Sequence, residues 1–211
     1  MEINPNSLPH TSMYKFMIGS ILPRPIGWIS TMNTEGQPNL APYSFFNAVC
    51  AKPPTVLFCP GVRGVDGNQK DTMRNIRENG EFVVNIVTAK LAEAMVKTAT
   101  ELPQTINEFE YAGLKTAPSV VVKPPRVLES PIHFECKVTH MIEISDQPGG
   151  GSVVIGEVVH LHVHESVLIG KDKIDLEQLQ PVGRLAGASY AQVREVFDIM
   201  REPSQITPAS E

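Results

Sequence analysis

The cleanest pattern in the chain is a period-two alternation from residue 132 onward. Ile132, Phe134, Cys136, Val138, His140, Ile142 and Ile144 fall on one face, and His133, Glu135, Lys137, Thr139, Met141 and Glu143 on the other. It predicts a strand with one wet side. Gln147 to Ser152 carries three glycines and turns the chain, and Val153 to Val163 supplies an antiparallel partner. A second hairpin is predicted near the N-terminus. A first arm rich in β-formers runs to Met32, Asn33 to Gln37 holds the glycine a tight turn wants, and a second arm leads into an ordered loop at Ser44–Asn47. There Pro42 withdraws an N–H, which leaves loop donors available to a ligand.

Shorter apolar runs add strands at Thr55–Cys59, entered from Pro53-Pro54, and at Phe82–Val87. Period-3.6 spacing predicts helices at three further places. Met13–Leu22 reads as a short helix or covering arm. Lys70–Asn79 has Asp71 or Thr72 as a cap and Gly80 as its stop, and Thr88 is placed to cap a helix carrying Leu91, Met95 and Val96. A last helix is expected with Tyr190, Val193, Phe197 and Met200 on one stripe, followed by a frayed polar tail from Pro203. Residues 100–118 show no period. Six or more short strands joined by hairpins, with helices between them, predict a mainly β antiparallel barrel with helical additions rather than a doubly wound sheet.

Composition bounds the function without naming it. With 211 residues, 42% hydrophobic and 19% charged, the chain suits one domain over residues 1–211. A formal net charge of −5 without a basic block argues against nucleic acid, and no apolar run has membrane length. The polar start lacks a leader pattern, so a cytoplasmic protein is expected. Cys50, Cys59 and Cys136 are odd in number and lack C-x-x-C spacing, against a disulfide framework or zinc ribbon.

Candidate chemistry is sparse. Lys70-Asp71-Thr72 opens a helix after a glycine-bearing loop, where free N–H groups, the helix dipole, an ammonium and a hydroxyl suit a phosphate. Arg63 or Arg74 would offset Asp71. Taken alone, the triplet is served better by Asp71 as a cap and a solvated Lys70. Ser30 and Thr31 place hydroxyls at the end of the first arm, although β-propensity explains Thr31 equally well. His160, His162 and His164 alternate on one strand face and could hold a metal. The plainer reading is a solvated face, because no carboxylate or cysteine is obviously placed to complete a set. G-x-S-x-G and G-x-G-x-x-G are both missing. Few catalytic side chains fit a protein whose reactive atoms belong to a cofactor.

Taken in order, Arg24-Pro25, Ser30-Thr31, Gly36, Asn39, Ala41-Pro42, Ser44-Phe45-Phe46-Asn47, Pro53-Pro54, Lys70-Asp71-Thr72, Asn75-Ile76, Phe82–Asn85, Gly156-Glu157-Val158 and Gly183-Arg184-Leu185 with Gly187 and Tyr190 are similar to motifs of one family. The chain resembles the flavin reductase-like family, the FMN-binding split barrels, from about Tyr14 to Tyr190. The resemblance implies a homodimer of Greek-key split barrels with FMN near the interface, reduced by NAD(P)H and passing electrons to a small-molecule acceptor or partner oxygenase. An FMN-bound electron carrier is the alternative, and a metal-binding barrel using the His-x-His-x-His strand owes nothing to flavin. By the resemblance, Ser44, Phe45, Phe46 and Asn47 edge the isoalloxazine, and Cys59, Pro60 and Gly61 pass by the ring. Ser30, Thr31, Lys70, Asp71 and Thr72 approach the phosphate, and Arg184 and Tyr190 reach toward a partner's site. Where many members carry a Gly-Asp-His turn, this chain has Gly149-Gly150-Gly151-Ser152.

Overall fold

The computed structural model describes residues 1–63, 67 and 69–205, so parts of the expected loop before Gln69 and of the tail lie outside the described residues. In chain order the helices are α1 (His10–Ser20), α2 (Asp71–Asn79), α3 (Ala92–Lys97), α4 (Glu108–Ala112) and α5 (Leu176–Leu179). The strands are β1 (Gly27–Met32), β2 (Pro38–Tyr43), β3 (Phe46–Ala51), β4 (Pro54–Phe58), β5 (Glu81–Ile86), β6 (Thr116–Ala117), β7 (Arg126–Val127), β8 (Ile132–Ser145), β9 (Gly151–Val163), β10 (Leu168–Ile169), β11 (Lys173–Ile174), β12 (Val182–Arg184) and β13 (Tyr190–Gln192). No described helix is long and apolar enough to cross a membrane.

Seven strands form one antiparallel sheet in the order β2-β1-β5-β8-β9-β4-β3. The two edges are consecutive in sequence, and only Ser44 and Phe45 lie between them. Laid flat, six strand spacings of ~4.8 Å would put those edges about 29 Å apart. The chain from Tyr43 to Phe46 reaches at most about 11 Å. The sheet must therefore curl until its edges nearly meet, giving a Greek-key barrel split between β2 and β3. Across the split, the Phe46 ring lies over Gly27 of β1, where a Cβ would sit 2.7 Å from Phe46 Cδ2.

Inside the barrel, Ile29, Val56, Phe58, Ile76, Phe82, Val84, Cys136 and Val154 form one buried cluster. Tyr43, Phe58 and Phe82 run through it as an aromatic column, with centroids 5.0 and 5.3 Å apart. A second cluster around Trp28, Leu40, Met95 and Phe109 packs the helices and the β12–β13 pair against the outside. The turn after β1 closes as expected, with Asn33 N–H donating to Gln37 O. Gly80 ends α2 at φ +65°, a conformation that favours glycine.

Four expectations need correction. Phe46 and Asn47 are not loop residues: they begin β3 and pair with Phe58 and Leu57, which leaves a bend of Ser44 and Phe45 only. The expected helix near Tyr190 is absent. Residues 190–192 are strand, and Phe197 and Met200 beyond them are 83% and 89% exposed, because that stripe finds no apolar surface to pack against. The expected wet side of β8 is buried at its start, and Ile142 and Ile144 are exposed at its end. Phe134, Cys136 and Val138 keep the core face that alternation assigns; the opposite face is covered by Val127 over His133 and by residues 120–122 over Glu135, and the far half of the hairpin runs past its neighbours.

Finally, a carboxylate does stand beside the strand histidines. Glu135, with no exposure, accepts the N–H groups of Val120, Val121 and Val122 and bonds His162 Nε2 at 2.6 Å. Burial alone would raise its pKa, but His162 and the three amides hold it down to about 2. It thereby ties the unpatterned segment 118–124 to the barrel.

The Phe82 ring leaves no room on β9 at Gly156, where a Cβ would meet Phe82 Cε1 at 2.5 Å. Gly156→Ala is expected to destabilise the fold by about 1–3 kcal/mol, measured by urea denaturation, since the fully buried ring cannot step aside.

Candidate active site

The bend between β2 and β3 sits at the meeting of two cavities. The first is lined from β2 by Asn39, Ala41, Pro42 and Tyr43, from the start of α2 by Lys70, Asp71 and Thr72, and from outside by Arg63, residues 98–102 and Glu108. The second lies toward α1 and the C-terminal strands, among Tyr14, Arg24, Ser44, Met95, Arg184 and Tyr190. Pro42 and Ala99 line both, so the two cavities adjoin and together are called the groove. Residues 98–102 are held there by Trp28, whose buried Nε1–H donates to Thr98 Oγ1 at 2.9 Å.

Helix α2 presents an open N-terminus to the first cavity. Lys70 is the N-cap and makes no side-chain cap bond, while the Met73 and Arg74 N–H groups turn back to Lys70 O. The reading of Asp71 as a cap therefore fails. Its carboxylate instead takes Arg63 at 3.1 Å and Arg74, so two guanidinium groups offset its charge. Lys70 is not simply solvated either. Its ammonium lies 5.7 Å from the centre of the Tyr43 ring, and burial lowers its pKa against the opposing pull of Glu101.

Behind the helix start lies a buried amide network. Asn39 Nδ2 donates to Thr31 Oγ1 at 3.2 Å and to Thr72 Oγ1 at 2.9 Å, and Asn75 Nδ2 donates to Thr31 at 3.1 Å. The buried Tyr43 hydroxyl faces Thr72 but closes no hydrogen bond of good geometry, and burial pushes its pKa up. Glu108 closes the wall: it accepts the Leu40 N–H, and burial raises its pKa, with Asp71 adding to the effect.

The residues expected at the site separate into groups. Lys70, Asp71 and Thr72 come together in the first cavity, and Ser44, Arg184 and Tyr190 in the second. There Ser44 Oγ accepts from Arg24 Nε at 3.3 Å, and Arg184 stacks over the Tyr190 ring 4.5 Å from its centre. Cys59, Pro60 and Gly61 follow β4 on the other side of Lys70: Cys59 N–H donates to Phe45 O, and Pro60 and Gly61 line a third recess with Lys70 and the β8–β9 turn. Burial raises the Cys59 pKa.

Two expected contacts are not available in this arrangement. Ser30 and Thr31 have no exposure; Ser30 donates to Pro125 O at 2.5 Å, and Thr31 Oγ1 accepts from Asn39 and Asn75. Phe46 and Asn47 line neither cavity: the Phe46 ring packs over Gly27, and Asn47 Oδ1 accepts the N–H of Ala48.

Asn39, Tyr43 and residues 98–102 were not singled out as site residues from chemistry, whereas Arg63 was named as a cation to offset Asp71. Asn39, Ala41 and Tyr43 share one face of β2, so the period of two could have found them; nothing in the sequence marks the 98–102 segment.

Residues 18–173 match the flavin reductase like domain family. The chain belongs to that family. A relative from Halalkalibacterium halodurans, described as uncharacterized, is 42% identical over 95% of this chain and 96% of its own. Among solved structures, nitrilotriacetate monooxygenase component B from Bacillus cereus is 38% identical, with a TM-score of 0.88 over 94% of this chain and 98% of that one. The 2-nitrobenzoate 2-nitroreductase NbaA of Pseudomonas fluorescens is 32% identical, with a TM-score of 0.85 over the whole of both chains. The family makes this protein a flavoprotein oxidoreductase, and the groove fits such a ligand. An uncapped helix start, a half-buried ammonium and an unsatisfied buried hydroxyl are all complementary to an anionic group.

If the Tyr43 hydroxyl lacks a partner when no ligand is bound, removing it should cost little. Tyr43→Phe is expected to leave the urea stability of flavin-free protein within about 1 kcal/mol of wild type. A larger loss would show the hydroxyl to be bonded within the chain.

Proposed function

We propose that this flavin reductase-like protein binds FMN and acts as an NAD(P)H-dependent reductase, delivering electrons to free flavin, a metal complex or a partner oxygenase. The observation that carries the reading is the anion-ready start of α2, set into a groove that runs past the β2–β3 bend to Arg24 and Arg184. Its length suits a phosphate at Lys70 and Thr72 and a flat ring system toward Ser44 and Phe45. The bound flavin would supply the electron transfer itself. The chain's share is to hold the ligand, keep water from one side of it and aim dipoles at it.

Lys70, backed by Arg63, would neutralise the phosphate, and Thr72 is held for it by Asn39. The NbaA resemblance and the monooxygenase-component resemblance both support electron delivery to a further acceptor. A homodimer is supported by large exposed apolar side chains on α1, Tyr14, Phe16 and Met17, and at the β8–β9 tip, Met141, Ile142 and Ile144.

One observation favours a second reading, an FMN-bound electron carrier without its own nicotinamide reaction. At the β8–β9 turn, a Cβ on Gly151 would come 2.8 Å from Pro60 O, and one on Gly150 would come 2.4 Å from Ser145 O. This turn offers glycine backbone where the family resemblance implies a Gly-Asp-His turn in many flavin-reducing members.

The purified protein is expected to be yellow, with a flavin absorption spectrum that follows added FMN, and to oxidise NADH or NADPH when free flavin is supplied. A yellow protein inert to both nucleotides would leave the carrier reading; a colourless one that ignores FMN would remove both. The double variant Lys70→Ala, Thr72→Ala is expected to weaken FMN binding roughly 10- to 100-fold while keeping a wild-type circular dichroism spectrum.

A further inference from the structure

We infer that Glu135, His160 and His162 form a binding site for one divalent first-row transition ion of the zinc class, on the face of the β8–β9 hairpin covered by segment 118–124. The register sets Glu135 opposite His160, and His133 opposite His162. One carboxylate oxygen and one nitrogen from each imidazole all lie within 4.8 Å of one another. Two nitrogens and one carboxylate oxygen, with an open position toward solvent, are a donor set for zinc or its neighbours.

Three features distinguish this cluster from a chance grouping. The carboxylate is already oriented: the amides of Val120, Val121 and Val122 hold Glu135 as an outer shell holds a ligating carboxylate. His160 is half-buried, and among the described residues neither of its ring nitrogens has a hydrogen-bond partner, although the ring stands edge-on to His162 at 4.7 Å. His162 is braced from behind by the buried His133 ring, edge to face at 5.9 Å.

His162 Nε2 stands 2.6 Å from Glu135 Oε1. A metal ion would take the place of the hydrogen between them, with the ring's one N–H carried on Nδ1. With bonds of about 2.0–2.2 Å to nitrogen and oxygen, the two donor atoms would move apart to about 3.3 Å. The His162 side chain is 19% exposed and has room to swing; Glu135, at 0%, does not. His164, the third histidine of the sequence pattern, is excluded, because its Nδ1 meets Ser166 Oγ at 2.8 Å where it caps a short turn. None of the three proposed ligands lines the flavin groove, so the site is independent of the proposed function.

The test is calorimetric titration of untagged, chelator-stripped full-length protein with zinc chloride. Wild type is expected to take up one zinc per chain. His160→Ala, which removes no hydrogen bond of the fold, is expected to weaken binding at least 30-fold; His164→Ala should leave it unchanged. Circular dichroism melts of both variants check the fold. Absence of stoichiometric binding in wild type would overturn the proposal, as would a His160→Ala variant within threefold of wild type.

Discussion

Everything in this molecule answers to one short connection. Two residues, Ser44 and Phe45, join the opposite edges of a seven-stranded sheet. That length is incompatible with an open sheet, so the strands must close into a barrel, and closure fixes what stands around the seam. It brings the end of β2 against the start of α2. It sets Phe46 across the gap onto Gly27, and it leaves a two-residue bend in which Ser44 lines the groove and Phe45 O accepts the Cys59 N–H. The candidate site lies at the seam of the barrel.

From the seam inward, the core and the site are one structure. The aromatic column of Phe82, Phe58 and Tyr43 passes from the barrel centre to the groove, where Tyr43 carries an unsatisfied hydroxyl and lies beneath the Lys70 ammonium. The network of Thr31, Asn39, Asn75 and Thr72 keeps the helix start in place with hydrogen bonds made inside the protein, so that little reorganisation is left for a ligand to induce. The polar groups there are costly to bury and therefore specific: the amide nitrogens of Asn39 and Asn75 and the hydroxyls of Thr31 and Thr72 are paired within the network.

Much of this was legible from the sequence where local chemistry decides the outcome. The β1–β2 turn, the β8–β9 hairpin, helix α2 with its Gly80 stop and the barrel class all follow from period and punctuation, and the motifs spread from Arg24 to Tyr190 identified the family. What was not legible depends on long-range pairing. Glu135 lies on the face alternation assigns to it, but no alternation rule could anticipate that segment 118–124 folds over that face, its amides meeting the carboxylate. The Val193–Met200 stripe has helical spacing but nothing to pack on. Ser30 and Thr31 carry the right hydroxyls for a ligand, yet closure of the barrel spends them on Pro125 and Asn39.

The central claim is that a phosphate sits at the start of α2 and that charge and backbone dipoles there hold the ligand. Comparing the affinities of FMN and riboflavin, which differ only in that phosphate, measures it directly. At low ionic strength FMN is expected to bind at least tenfold more tightly, with the gap narrowing as salt is raised. Equal affinity for the two would contradict the account.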